Sequence, residues 1–269
     1  MKLYVLFFFL SSVFVVSSQE VASVIVSDSF VIESKIVNEG RKINIWTPPN
    51  YNVVKDSFPI IYLLDGGVNE DYPHIIETIS KLIEAKAMSP VIVVGIENTQ
   101  RRRDMTGNTS VKSDMKIAPR IGGSGEFRSF IDKELIPEVN NRYRVSGKKA
   151  ILGESLAGLF ILETFFLQPT LFDYYIAMDP SLWWNEHHLV KNADNLLPES
   201  FLNEKKLWFA GSKTKTISKH TEKLAKTLKI KQIKKLEWDY SYQPKEEHGT
   251  IYKATKIQAL TWIFGSKVN

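Results

Sequence analysis

The stretch Gly153-Glu154-Ser155-Leu156-Ala157-Gly158, directly behind the apolar run Ala150-Ile151-Leu152, constrains the fold more than any other part of the chain. A buried strand has to become a helix there across a single serine. A turn that sharp leaves room only for small side chains two residues to either side. Gly153 and Ala157 meet that demand, and Gly158 adds slack. The pattern G-x-S-x-A-G carries alanine where glycine is the usual residue. Taken alone, the six residues also fit an ordinary helix N-terminus capped by serine, so their meaning depends on their surroundings.

The 269 residues, 43% of them hydrophobic and 12% aromatic, suffice for one large core, and a single domain over residues 19–269 is expected. Residues 1–18 read as a cleaved secretory signal. Lys2 precedes an apolar run over residues 3–16, Val16-Ser17-Ser18 offers compact residues for cleavage, and polar Gln19-Glu20 follow. The run is shorter than the roughly 20 residues a spanning helix needs, so an exported protein, periplasmic or secreted, with no membrane span after cleavage is expected. With no cysteine in the chain, neither a disulfide nor a lipid-modified cysteine is available, and the core alone must hold the fold. The net charge of +5 is spread along the sequence apart from residues 226–235 and Arg101-Arg102-Arg103, which gives a nucleic-acid partner little support.

There is no internal repeat, low-complexity tract or linker. Strands are expected at residues 21–26, 30–37 and 41–46, then at 58–64, a nearly continuous apolar run that ends at Asp65-Gly66-Gly67. A helix over 73–87, a strand at 91–96, a long loop over 97–123 and a helix over 125–139 follow. Next come a strand at 150–152, the helix 155–167, strands at 174–178, 206–210 and 236–240, and a closing helix over 250–264. This alternation implies an α/β fold with a mostly parallel central sheet and helices on both faces.

Open sheets of this kind place their chemistry at the carboxyl ends of the strands, and Ser155 stands at one. A serine hydroxyl needs a base within hydrogen-bond reach, and in such folds the histidine comes last in the chain. His248, just past the final strand, is the candidate; His74, His187, His188 and His220 read as surface or helix residues. An acid to orient the imidazole belongs after the strand at 206–210, but Gly211-Ser212-Lys213-Thr214-Lys215-Thr216 holds none. Asp179, at the end of the preceding strand, is one substitute, although a turn residue before Pro180 has the same appearance; a Ser–His dyad is the other. Two backbone amides should receive the developing oxyanion. That of Leu156 is one. The second should come from the Gly66-Gly67 loop, with Gly67 favoured and Val68 next.

The ordered blocks Tyr62 to Gly66, Arg101 to Thr106, Phe127 to Pro137, Gly153 to Phe160, Asp179 to Trp184 and His248-Gly249 resemble the esterase family of α/β-hydrolases that groups esterase D-like enzymes with trilactone siderophore esterases. The resemblance spans about residues 30–265. It implies an α/β-hydrolase fold, Ser155 as nucleophile and His248 as general base. It also implies a pocket lined by the arginine block, with Arg101 or Arg103 pairing with an anionic group, and by Trp183 and Trp184 stacking on an aromatic one. Core-filling tryptophans and an arginine bound to Asp104 are the plainer alternatives. The residue-level reading is thus an exported serine esterase that needs no metal or organic cofactor. Its substrate would be a small-molecule ester: a siderophore, an acylated glycan or a simple acyl ester. Acyl transfer at the same site and a catalytically silent ligand-binding homologue are the competing readings.

Overall fold

The computed structural model describes residues 28–265, so the expected signal segment and the strand at 21–26 lie outside the described residues. In chain order the elements are β1 (Asp28–Ser34), β2 (Glu39–Trp46), β3 (Phe58–Leu63), α1 (Tyr72–Glu84), β4 (Ile92–Ile96), α2 (Arg101–Asp104), α3 (Ser124–Phe130), α4 (Ile136–Arg142) and β5 (Val145–Glu154). They continue with α5 (Leu156–Leu167), β6 (Tyr174–Met178), α6 (Trp184–Lys191), α7 (Ala193–Leu196), β7 (Ser200–Ser212), α8 (Lys215–Lys231), β8 (Lys234–Gln243) and α9 (Ile251–Phe264). A π-helical turn, Ile131–Leu135, joins α3 to α4. Pro137, at the start of α4, has no N–H to return to the preceding turn, and the wider turn accommodates it.

One sheet of eight strands in the order β1-β2-β4-β3-β5-β6-β7-β8 runs through the molecule. β1 and β2 are antiparallel, β2 meets β4 antiparallel, and the remaining pairs are parallel. Successive side chains of a strand point to opposite faces, so each inner strand feeds two cores. Tyr62, Leu64, Ile151, Tyr175 and Phe209 pack toward α3, α4, α5 and α8, whereas Ile61, Leu63, Leu152, Ile176 and Trp208 pack toward α1 and α9. Helix α5 is buried from Leu156 to Phe166, as a helix apolar on all sides must be. Among the described residues no helix is long and apolar enough to cross a membrane.

The continuous apolar runs fall where expected, and β6 matches residue for residue. β5 and β7 extend well beyond the expected 150–152 and 206–210, because their early residues, such as Lys148, Asn203 and Glu204, point to solvent and lack an apolar signature. The loop 97–123 carries α2 and a 3-10 turn, Asp114–Lys116.

Candidate active site

Strand order reverses direction at β3, which has β4 on one side and β5 on the other, and open α/β sheets place their ligands beyond the carboxyl ends at such a point. Three neighbouring strands, β3, β5 and β6, are followed by Asp65, Ser155 and Asp179, and all three residues hold positive φ angles of 53°, 62° and 43°. A non-glycine residue there costs about 1 kcal/mol or more, so the surroundings must enforce it. They do so at the serine. Its N–H donates to the Met178 carbonyl at 3.0 Å, and its own carbonyl accepts from the amides of Leu159 and Ser181, both at 3.0 Å. A Cβ on Gly153 would stand 2.6 Å from that of Ala157, which is the physical reason for the small pair flanking the turn.

The hydroxyl of Ser155 lies 3.0 Å from His248 Nε2, and His248 Nδ1 lies 2.7 Å from Asp179 Oδ2. Residues 93 and 69 positions apart are thereby joined in one chain of hydrogen bonds. Asp179 is fully buried, while the imidazole is 42% exposed. The histidine loop is held from below, since the Lys213 amide donates to the Glu246 carbonyl at 2.9 Å and its ammonium pairs with Glu247 at 3.0 Å. Because Nδ1–H donates to the carboxylate, Nε2 carries the lone pair and can accept the serine proton.

The end of β7, where no acid stands, is occupied by Ser212, whose N–H and hydroxyl donate to Asp179 at 2.6 and 2.9 Å. Sequence reasoning found the vacancy but not this second use of it. It also passed over Ser181 as an individual residue; its hydroxyl is 3.3 Å from that of Ser155 and it is only 3% exposed. The sequence signal was adjacency, for Ser181 follows Asp179-Pro180 directly.

The hydrogen bond that Nδ1–H donates to Asp179 raises the His248 pKa above the usual 6.5, against the opposing effect of burial, and Glu154 adds to the rise. Glu154 itself is pushed from 4.5 to about 7, chiefly by burial, with His248 and Arg101 opposing and Asp71 and Asp179 reinforcing. Its Oε1 is buried and has no hydrogen-bond partner among the described residues.

Leu156 begins α5, where amides have no partner inside the helix, so its N–H is placed beside Ser155. The amide of Gly67, expected as the second donor, donates to Glu70 Oε2 at 2.7 Å, and that of Gly66 donates to the Ile96 carbonyl at 2.9 Å. Val68 is the next amide in that loop. Gly66 is still required, because a Cβ there would come within 2.3 Å of the Ile96 nitrogen.

Arg101 grips Asp65 through two bonds of 2.5 and 2.8 Å and donates to the Glu154 carbonyl at 3.3 Å, so it ties the ends of β3 and β5 together with its charge already matched. Arg103 is bound to Glu39 and Asp104. Together with Arg102 and Arg120 these two arginines line a cavity of about 480 Å³. Trp184 is buried, donates through Nε1 to the Gly107 carbonyl at 3.0 Å and lines a different cavity of about 380 Å³; Trp183 is half-buried against it.

Comparison with known proteins agrees with this geometry. Residues 34–249 match the family described as "Putative esterase". The ferri-bacillibactin esterase BesA of Bacillus subtilis is 30% identical over 177 residues, which is 60% of this chain and 61% of the length of that relative. The apo-salmochelin esterase of Escherichia coli O6:H1 is 26% identical over 254 residues, covering 87% of this chain and 78% of the relative. Among solved structures, an IroE-like serine hydrolase from Shewanella oneidensis superposes with a TM-score of 0.81 at 27% identity, covering 88% of this chain and 79% of that one. A fold with its serine, histidine and carboxylate at the carboxyl edge of the sheet and a family match over most of the described residues lead to one conclusion: the chain belongs to the esterase family of α/β-hydrolases.

Proposed function

We propose that the protein is an exported serine esterase that cleaves a carboxylic ester through an acyl-enzyme on Ser155. The observation that carries the reading is the unbroken line Ser155 to His248 to Asp179 at 3.0 and 2.7 Å. His248 Nε2 takes the serine proton as Oγ bonds to the ester carbon, and the carbonyl π electrons move onto oxygen. The amide of Leu156 receives that oxyanion, with the amide of Val68 as the second donor. Collapse breaks the bond to the leaving oxygen, which takes the proton from Nε2 and departs as an alcohol. Water then repeats the sequence and releases the acid.

The substrate class we infer is a siderophore-type ester with anionic, aromatic arms. The named activities of the Bacillus and Escherichia relatives support it, as do the cavity lined by Arg101, Arg102, Arg103 and Arg120 and the tryptophan pair. Arg102 and Arg120, which make no ion pair among the described residues, are the members of that cavity available to an anion. The silent-binder reading drew its support from a missing acid, and a carboxylate 2.7 Å from the imidazole weighs against it. Turnover of a trilactone siderophore should exceed that of a short p-nitrophenyl ester in kcat/KM by at least tenfold; equal or reversed values would remove the substrate assignment and leave a general esterase.

A further inference from the structure

The hydroxyl of Ser181 has no place in the mechanism above, yet it is buried and stands 3.3 Å from the oxygen that attacks the substrate. Its direction can be worked out. Asp179 accepts Nδ1–H, so Nε2 accepts from the Ser155 hydroxyl, and the single hydrogen of Ser155 is used. In that state the hydrogen between the two serines belongs to Ser181, which donates to a lone pair of Ser155 Oγ. The amide of Ser181 donates to the Ser155 carbonyl at 3.0 Å, and Trp184 N–H donates to the Ser181 carbonyl at 3.1 Å, so backbone contacts fix the residue on both sides.

We propose that Ser181 is a further catalytic residue whose hydroxyl stabilises Ser155 Oγ as the leaving group when the acyl-enzyme breaks down; the proposal rests on the esterase reading. The two half-reactions treat Oγ in opposite ways. During acylation the free Ser155 hydroxyl already accepts from Ser181 before attack, so the bond is made in the ground state as well as in the transition state and adds little to the rate, whereas the ester Oγ of the acyl-enzyme is a poor acceptor. During deacylation water adds to the acyl carbon and its proton passes to Nε2. The tetrahedral intermediate then collapses, the C–Oγ electron pair returns to Oγ, and Nε2–H delivers the proton there. Negative charge develops on Oγ as that bond breaks, and a donor already in place is worth most at that moment. A hydroxyl that served only packing would show no such asymmetry.

The experiment is stopped-flow hydrolysis of p-nitrophenyl acetate with intact-protein mass after acid quench, on the full protein. For Ser181→Ala the burst should stay within about threefold of wild type while the steady-state rate falls about tenfold, so that the acetylated form accumulates. Ser181→Thr, which keeps the hydroxyl, should return the ratio of the two rates toward wild type. Ser181→Cys, similar in size with a weak donor, should behave as the alanine variant and covers the case in which alanine does not fold. Equal slowing of both phases, unchanged partition, or a threonine variant no better than cysteine would overturn the role of Ser181. Wild-type hydrolysis that persists undiminished in Ser155→Ala would instead overturn the esterase reading, and this inference with it.

Discussion

Ser212 binds Asp179 twice, through its amide at 2.6 Å and its hydroxyl at 2.9 Å, from the strand end where an acid was expected and none is found. The carboxylate has moved one strand over, and the vacated position supplies the donors that hold it. Asp179→Asn puts an amide group against those donors and no longer accepts Nδ1–H in the same way, which favours the wrong imidazole tautomer. The expected loss in kcat is on the order of 10³-fold or more, measured on an activated ester with KM nearly unchanged.

Ser212→Ala removes one donor and keeps the backbone one. The carboxylate becomes a stronger partner for the imidazolium, so the acid limb of the kcat/KM profile should move up by a few tenths of a pH unit, with a rate loss of about tenfold or less. A pH series on both proteins tests this; a downward movement would contradict it.

Glu154 gives a second pH prediction. His248 must be neutral to act as base, so activity rises with pH through its elevated pKa, and ionised Glu154 helps keep that value high. Glu154→Gln should therefore shift the acid limb to lower pH. Stability responds with a definite sign as well. A carboxyl raised from 4.5 to about 7 binds its proton more tightly in the folded state, so its contribution is present below pH 4.5 and is lost as pH rises toward 7. Glutamine should flatten that part of the curve and raise the melting temperature above pH 7, read by thermal denaturation across pH 4 to 8.

Arg101→Ala should destabilise the fold by about 2 kcal/mol or more, because it leaves the charge of Asp65, 8% exposed, without its ion-pair partner and with the Asn98 amide as its remaining side-chain donor. Adding Asp65→Asn should recover part of the loss in chemical denaturation, which a purely steric effect of the arginine would not allow.

What the sequence made legible follows from the range of the forces involved. β3 and β6 were readable because both faces of each are buried and the whole strand is apolar. The serine turn was readable because its packing is local, between Gly153 and Ala157. Asp179 stayed ambiguous because its role depends on His248, 69 residues away, and on Ser212, 33 residues away, and no local pattern encodes either meeting. The same applies to Gly67, whose amide is taken by Glu70 through a side-chain rotamer, and to Arg101, whose charge is matched by Asp65 rather than left open for a ligand. The long amphipathic α8, of which the sequence suggested only that His220 sits on a helix, keeps Ile217, Thr221, Leu224 and Leu228 on its buried side beneath a surface of lysines that hides the stripe.

The central claim is that Ser155 is the nucleophile and His248 its base. Treating the protein with a fluorophosphonate and mapping the adduct by peptide mass spectrometry tests it most directly. A single phosphonylated residue, Ser155, is expected, with labelling abolished in Ser155→Ala and slowed by at least 10³-fold in His248→Ala. Adduct on another residue, or ester turnover that persists undiminished in Ser155→Ala, would contradict it.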